Sequence, residues 1–223
     1  MSGPGFVLDL HRCVGCSACV IACRIENGRA YAAAWRRVLP LNLARRPGGP
    51  TYSLSVACHH CDDPACLRGC PASAYEKRAD GVVLHHDDRC IGCRYCEMSC
   101  PFGAPQFDAD RGVVSKCHLC APRLDAGLEP ACVTACPTGA LLSAPDARPK
   151  PDATTSNAAA ANTTRANTTH VFTGAGVSRL EDTHSCVPGF VDPAGCGPHL
   201  RFRLPAGARR TVLYRALEEA LRR

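Results

Sequence analysis

Sixteen of the eighteen cysteines stand in four sets of four. The first set is Cys13, Cys16, Cys19 and Cys23. The second is Cys58, Cys61, Cys66 and Cys70, followed by Pro71. The third is Cys90, Cys93, Cys96 and Cys100, followed by Pro101. The fourth is Cys117, Cys120, Cys132 and Cys136, followed by Pro137. The first and third read C-x2-C-x2-C-x3-C, a run whose thiolates hold a [4Fe–4S] cube. Such a cube needs four thiolates arriving from different directions. Cysteines three apart on a strand would separate by roughly 10 Å per step. On a helix they would climb about 4.5 Å per step and drift around the axis. The spacing therefore predicts loops wrapped round metal, with the fourth cysteine beyond each loop on a short helix. Gly15, Ala18 and Gly92 are small enough to permit that wrap. The proline after the fourth cysteine fixes the backbone where the chain leaves; in the first set Arg24 stands there instead. Four sets predict four [4Fe–4S] clusters, and a chain carrying so many one-electron centres is most simply a wire.

Other uses of cysteine fit less well. Zinc sites take paired C-x2-C and four ligands in total. They do not ask for three cysteines in seven residues with a proline after the fourth. A zinc-binding interaction module stands as the alternative of another class. The cysteine content lies near the roughly 8–10% typical of disulfide scaffolds. Yet Met1-Ser2-Gly3-Pro4-Gly5-Phe6 offers neither a charged nor an apolar signal region, so no signal peptide is expected. Unmetallated C-x2-C pairs would also be redox-labile rather than structural.

The chain has 223 residues, and only 5% of them are aromatic. Large apolar residues are sparse between the cysteine sets, so the clusters are expected to serve as the core, with folding dependent on metal. No apolar stretch approaches the roughly 20 residues of a membrane span. The formal charge of +6 counts cysteine as neutral. Sixteen thiolates on four oxidised clusters add about −8, which leaves the loaded chain near −2. The basic excess thus reads as internal compensation, and a nucleic-acid partner is not expected.

The elements that must position these loops are short. Phe6 to Leu10 reads as a strand entering the first set, and Val20 to Asn27 as a helix carrying Cys23. Trp35 to Leu41 and Tyr52 to Ala57 read as strands. Pro64 opens a short helix through Cys70. Ala74 to Lys77 and Gly81 to His86 form a hairpin around Ala79-Asp80-Gly81. A second hairpin sets Gln106-Phe107 against Val113-Val114. Repetition of loop, short helix and hairpin predicts an α+β fold of two ferredoxin-like modules with an irregular C-terminal extension. Residues 1–142 hold the modules, residues 143–169 a flexible linker rich in Ala, Pro, Asn, Asp and Thr, and residues 170–223 a docking segment. Leu213, Leu217, Ala220 and Leu221 place a helix at its end.

With all four sets in view, the chain resembles the four-cluster iron–sulfur subunit of anaerobic dimethyl sulfoxide reductase. This belongs to a wider family serving polysulfide, thiosulfate, tetrathionate, nitrate and formate enzymes. The resemblance rests on Gly5-Phe6-Val7 through Cys23, on Cys58-His59-His60-Cys61-Asp62-Asp63-Pro64-Ala65-Cys66, and on Cys90-Ile91-Gly92-Cys93-Arg94-Tyr95-Cys96. Pro101-Phe102-Gly103-Ala104-Pro105 and Cys132 to Pro137 extend it; Pro188-Gly189-Phe190 and Arg201-Phe202 look like the family's closing segment. The resemblance implies crossed ligation, with the first and fourth sets in one module and the second and third in the other. One cluster would take Cys13, Cys16, Cys19 and Cys136, and its neighbour Cys117, Cys120, Cys132 and Cys23. The other module would place a cluster on Cys58, Cys61, Cys66 and Cys100, and another on Cys90, Cys93, Cys96 and Cys70. The resemblance also implies a non-catalytic, peripheral membrane-associated subunit. Its first-set cluster would face a molybdopterin catalytic subunit, and its third-set cluster a multi-span anchor that oxidises quinol. Such subunits can reach the far side of a membrane folded beside a partner with a twin-arginine signal. A polysulfide, thiosulfate or tetrathionate reductase or a formate dehydrogenase would use the same wire.

Among the remaining residues, Arg12, Arg89 and Lys116 precede the first cysteine of a set and either raise cluster potentials or decorate the surface. His59, His60 and His118 lie inside ligand loops, but each set already has four cysteines, so they are expected to be non-ligands. Arg94 and Tyr95 are placed to touch the anchor. Cys186 and Cys196 stand outside the sets, as a disulfide or as two thiols. No catalytic acid–base pair is evident.

Overall fold

Phe6–Asp9 forms a strand, β1, whose every residue is buried. In the computed structural model, which describes residues 4–28, 34–41, 52–143 and 196–203, this strand is the middle of a three-stranded sheet. On one side β8 (Leu141–Ser143) runs antiparallel, with Val7 opposite Leu142. On the other side β9 (Leu200–Arg203) runs parallel, with Leu8 opposite Phe202. Burial on both faces explains the near-continuous apolar run of β1.

The other sheets are two-stranded and antiparallel. β2 (Arg37–Leu41) pairs with β3 (Tyr52–Val56). β4 (Tyr75–Lys77) pairs with β5 (Val83–His85), where Arg78 and Val82 close the turn. β6 (Gln106–Asp108) pairs with β7 (Val113–Ser115). These match the hairpins expected from sequence. The helices are α1 (Ala18–Asn27), α2 (Ala65–Arg68), α3 (Tyr95–Ser99), α4 (Ala121–Asp125) and α5 (Ala131–Thr134). Helix α1 packs on α5, and α2 on α3. No helix among the described residues is long and apolar enough to cross a membrane.

Three expectations need correction. The third cysteine of every set is drawn onto a helix, an arrangement expected for Cys66 alone: Cys19, Cys66, Cys96 and Cys132 lie on α1, α2, α3 and α5. Cys70 and Cys100 instead follow the ends of α2 and α3, and Cys136 comes two residues after α5. An apolar core also exists beside the cysteine loops, and it takes in Leu119, Cys19 and Cys132 from them. Phe6, Leu8, Leu54, Leu119, Leu141, Leu200 and Phe202 are each at most 2% exposed, and they belong to one cluster. These residues are scattered in sequence: Phe6, Leu8, Leu141, Leu200 and Phe202 converge because β1, β8 and β9 share a sheet, and Leu54 of β3 and Leu119 pack against them. Finally, Arg201-Phe202 forms part of a sheet strand within the irregular extension, because β1 offers an edge that Phe202 can cover. The linker expected over 143–169 begins at the last residue of β8, and the rest of it lies outside the described residues. So do Cys186 and the helix expected near the C-terminus.

Candidate metal centres

All four C-x2-C loops turn by the same device. The residue just before the second cysteine is left-handed: Gly15 at φ 71°, His60 at 47°, Gly92 at 69° and Leu119 at 57°. In the first and third loops the residue after that cysteine, Ser17 or Arg94, is left-handed as well and opens the helix carrying the third thiol. Successive turns of this kind aim backbone N–H groups inward and form an anion-binding concavity. The N–H of Leu119 donates to Cys117 Sγ at 3.3 Å. Those of Ala74, Val114 and Leu141 reach the sulfurs of Cys70, Cys90 and Cys136 at 3.3, 3.5 and 3.5 Å.

Two cavities are walled by cysteines from two loops each. One is lined by Cys58, Cys61 and Cys66 of the second set and by Cys100 of the third. The other is lined by Cys90, Cys93 and Cys96 of the third set and by Cys70 of the second. The first and fourth sets interleave in the same way. Burial raises the Cys13 thiol, and Cys19, Cys136 and Cys16 add to the effect. Burial pushes the Cys23 thiol up to about 12, with Cys132 and Cys120 reinforcing it. Burial would also raise Cys136, but hydrogen bonds from Leu141, Thr138 and Ala140 outweigh it and hold that thiol low. No three His, Cys, Asp or Glu side chains among the described residues converge closely enough for a single ion. One zinc draws its sulfurs to about 2.3 Å, whereas a cube with one iron per thiolate spreads them wider. Four thiols on the wall of each cavity offer one ligand for each iron of a [4Fe–4S] cube.

Two buried cations stand among these sulfurs. Arg36 is 1% exposed. Its Nη1 donates to Ser55 Oγ at 3.0 Å, and Ser55 Oγ lies 3.3 Å from Cys19 Sγ. Its guanidinium stacks 4.3 Å from the Phe6 ring centre. Burial opposes its charge, but the sulfurs of Cys132, Cys117, Cys19 and Cys23 surround it and keep it protonated. Arg36 was not among the residues singled out from sequence, since nothing local separates it from the neighbouring Arg37. Lys116, weighed as a surface base, is instead 2% exposed. Its Nζ donates to the carbonyls of Val83 and Cys117, and its charge acts on Cys66. Arg89 is exposed and Arg12 half-buried. His59 and His60 are buried; the ring of His59 meets Phe102 edge-on, and His60 Nδ1 accepts from the Val83 N–H at 3.0 Å. Burial drives His59 down to about 3, so it stays neutral.

Among the described residues the exposed cysteines are Cys16 and Cys93. Each has exposed apolar residues near it in sequence: Val14, Ile21 and Ile25 around the first, Ile91, Tyr95 and Met98 around the second.

Residues 51–144 match the family described as 4Fe-4S dicluster domain. The probable anaerobic dimethyl sulfoxide reductase chain YnfG of Escherichia coli K12 is 42% identical over 145 residues, which cover 61% of this chain and 71% of that one. A chain of the anaerobic dimethyl sulfoxide reductase of Haemophilus influenzae is 40% identical over 159 residues, covering 65% and 75%. A tetrathionate reductase subunit of Salmonella typhimurium is 39% identical over 139 residues, covering 61% and 55%. Similarity of this extent reaches well beyond a shared ligand motif, and the protein belongs to the family of iron–sulfur, electron-transferring subunits of anaerobic dimethyl sulfoxide reductases.

Proposed function

We propose that the chain holds four [4Fe–4S] clusters in two ferredoxin-like modules spanning residues 1–142. They would carry electrons from a quinol-oxidising membrane anchor to a molybdopterin catalytic subunit. When bound, the clusters supply one-electron exchange. The ligand sets are Cys13, Cys16, Cys19 and Cys136; Cys117, Cys120, Cys132 and Cys23; Cys58, Cys61, Cys66 and Cys100; and Cys90, Cys93, Cys96 and Cys70. The observation that carries this reading is the order of contact between sets. Cys19 and Cys132 pack in one buried cluster, Cys117 and Cys58 in a second, and Cys66 and Cys96 in a third. With Cys23 and Cys100 assigned by crossing, these clusters would order the ligand sets in a single file from the first, through the fourth and second, to the third. The two ends of that file carry the exposed cysteines Cys16 and Cys93 with their apolar surroundings, as two docking ends would require. The side chains between them exclude water and hold charge: Arg36 lies between the first and fourth sets, and Lys116 between the fourth and second.

The two dimethyl sulfoxide reductase relatives favour an S- or N-oxide as terminal acceptor. A sulfur oxyanion or polysulfide reductase, or a formate dehydrogenase, would differ in the catalytic partner rather than in this chain. Metal analysis after anaerobic reconstitution should give about sixteen irons per chain; zinc, or half that iron, would refute the count. In the assembled complex Cys93→Ser should abolish quinol-dependent turnover and spare turnover driven by an artificial donor to the catalytic subunit. Equal loss of both would remove the third set from the quinol end.

A further inference from the structure

Cys196 is a seventeenth cysteine, outside the four sets, and it is a half-buried free thiol. It lines the same cavity as Cys58, Cys61, Cys66 and Cys100. Its place there is fixed by the backbone. The Asp62 N–H donates to Gly197 O at 2.9 Å and the Asp63 N–H to Cys196 O at 3.2 Å. The His199 N–H donates to His59 O at 2.9 Å, and His199 Nε2 lies 2.8 Å from Asp62 Oδ1. Gly197 makes this approach possible. Its φ is +56°, and a side chain there would come within 3.0 Å of Asp62 Cβ. Residues 196–199 are thereby fastened along the ligand loop that carries Cys58 and Cys61.

From this placement we propose that Cys196 is a reserve ligand of the second site, able to take over the iron that Cys61 holds. The proposal rests on reading Cys58, Cys61, Cys66 and Cys100 as one ligand set. The strap that carries Cys196 is bonded to Asp62 and Asp63, the two residues that follow Cys61. Cys61 and Cys196 are both half-buried, so neither exchange partner has to cross the packed interior. The exchange is balanced. Cys196 gives its proton to water and forms an Fe–S bond, while the bond from Cys61 breaks and that sulfur takes up a proton. Thiolate replaces thiolate, so no electron moves and the net charge is unchanged. Among the described cysteines no other set has a fifth thiol at hand.

The test uses the full chain, reconstituted anaerobically, with iron per chain and low-temperature EPR as readouts. Cys61→Ala should keep a [4Fe–4S] centre at the second site, and Cys61→Ala with Cys196→Ala should convert it to [3Fe–4S]. Cys196→Ala alone should leave all centres intact, and Cys16→Ala, with no fifth thiol near it among the described residues, should lose an iron. Equal yields of [3Fe–4S] from Cys61→Ala with and without Cys196 would overturn the proposal. If the alanine chain loads no second centre at all, Cys61→Ser reads the same competition through its weaker oxygen ligand. Spectra of Cys61→Ser that are unchanged by removing Cys196 would likewise overturn it. Cys100→Ala separates the two readings. An intact second centre in Cys100→Ala combined with Cys196→Ala, where no reserve thiol can step in, would sink the crossed ligand set, while the comparison of Cys61 with Cys196 would still report on the reserve ligand.

Discussion

Arg36 brings a full positive charge into the interior, with no carboxylate paired to it among the described residues. Buried charge of this kind persists only when something compensates it, and here the surrounding groups are sulfurs of the first and fourth sets. Reduction adds a negative charge to a cluster, so a nearby cation favours the reduced form and raises the potential. Arg36→Met should lower the potentials of the first- and fourth-set centres. A shift of roughly 60 mV is tenfold in a one-electron equilibrium. Arg36→Lys should restore part of it. Unchanged potentials in a redox titration of Arg36→Met would show that the charge is screened. The neighbouring Cys23 tests ligand crossing at the same scale. Cys23→Ser should perturb the centre on Cys117, Cys120 and Cys132 and leave that on Cys13, Cys16 and Cys19 with its ligands. Loss confined to the latter would mean local ligation.

At the scale of elements, the ligand loops depend on backbone that most residues avoid. A left-handed residue other than glycine costs about 1–2 kcal/mol, and His60 and Leu119 bear that cost in the second and fourth loops. Gly92 leaves even less latitude. A side chain there would lie 2.4 Å from the Gly112 carbonyl oxygen, which belongs to the turn joining β6 and β7. At Gly15 the closest atom, at 2.6 Å, is the hydroxyl oxygen of Ser53, which can rotate away. Gly92→Ala should therefore cost the third centre its iron, whereas Gly15→Ala should still load. Iron content of the two purified variants decides the matter, and equal loading would show that the β6–β7 turn gives way. The hairpins themselves were legible because their turns carry Asp-Gly and Arg-Gly between β-prone residues. The placement of Cys96 and Cys132 on helices was not legible, because α3 and α5, of five and four residues, are too short to show a period.

The whole molecule joins an apolar core around β1 to thiol-lined cavities that pack little else. Structural metal contributes directly to folding free energy, so iron removal should destabilise the chain unevenly. Hydrogen exchange after chelation should show the amides of Val7 and Leu8 protected longest and those of the ligand loops released first. Uniform loss would mean that the clusters, not the β1 sheet, are the core. The iron-free chain should also be sensitive to base. Burial raises the thiols of Cys23 and Cys66 to about 12, from an ordinary 9.0. A raised folded value gives stability that is present below the ordinary value and lost as pH rises through the folded one. The melting temperature of the iron-free chain should accordingly fall as pH is taken above 9.0.

The sequence alone determined the chemistry. Cysteines two or three residues apart constrain one another through a few backbone bonds, so the type of cofactor and the loop that wraps it are local properties. It also carried enough identity to place the protein in its family. Only the tertiary structure decided which loops face one another. Cys100 joins the wall formed by Cys58, Cys61 and Cys66 because α3 packs on α2. Phe202 completes the sheet because β1 presents an open edge. Arg36 and Lys116 became interior charges, and Cys196 a neighbour of Cys61, for the same reason. Each of these juxtapositions joins residues far apart in the chain, and packing of the apolar core, rather than any local spacing, sets the distance between them.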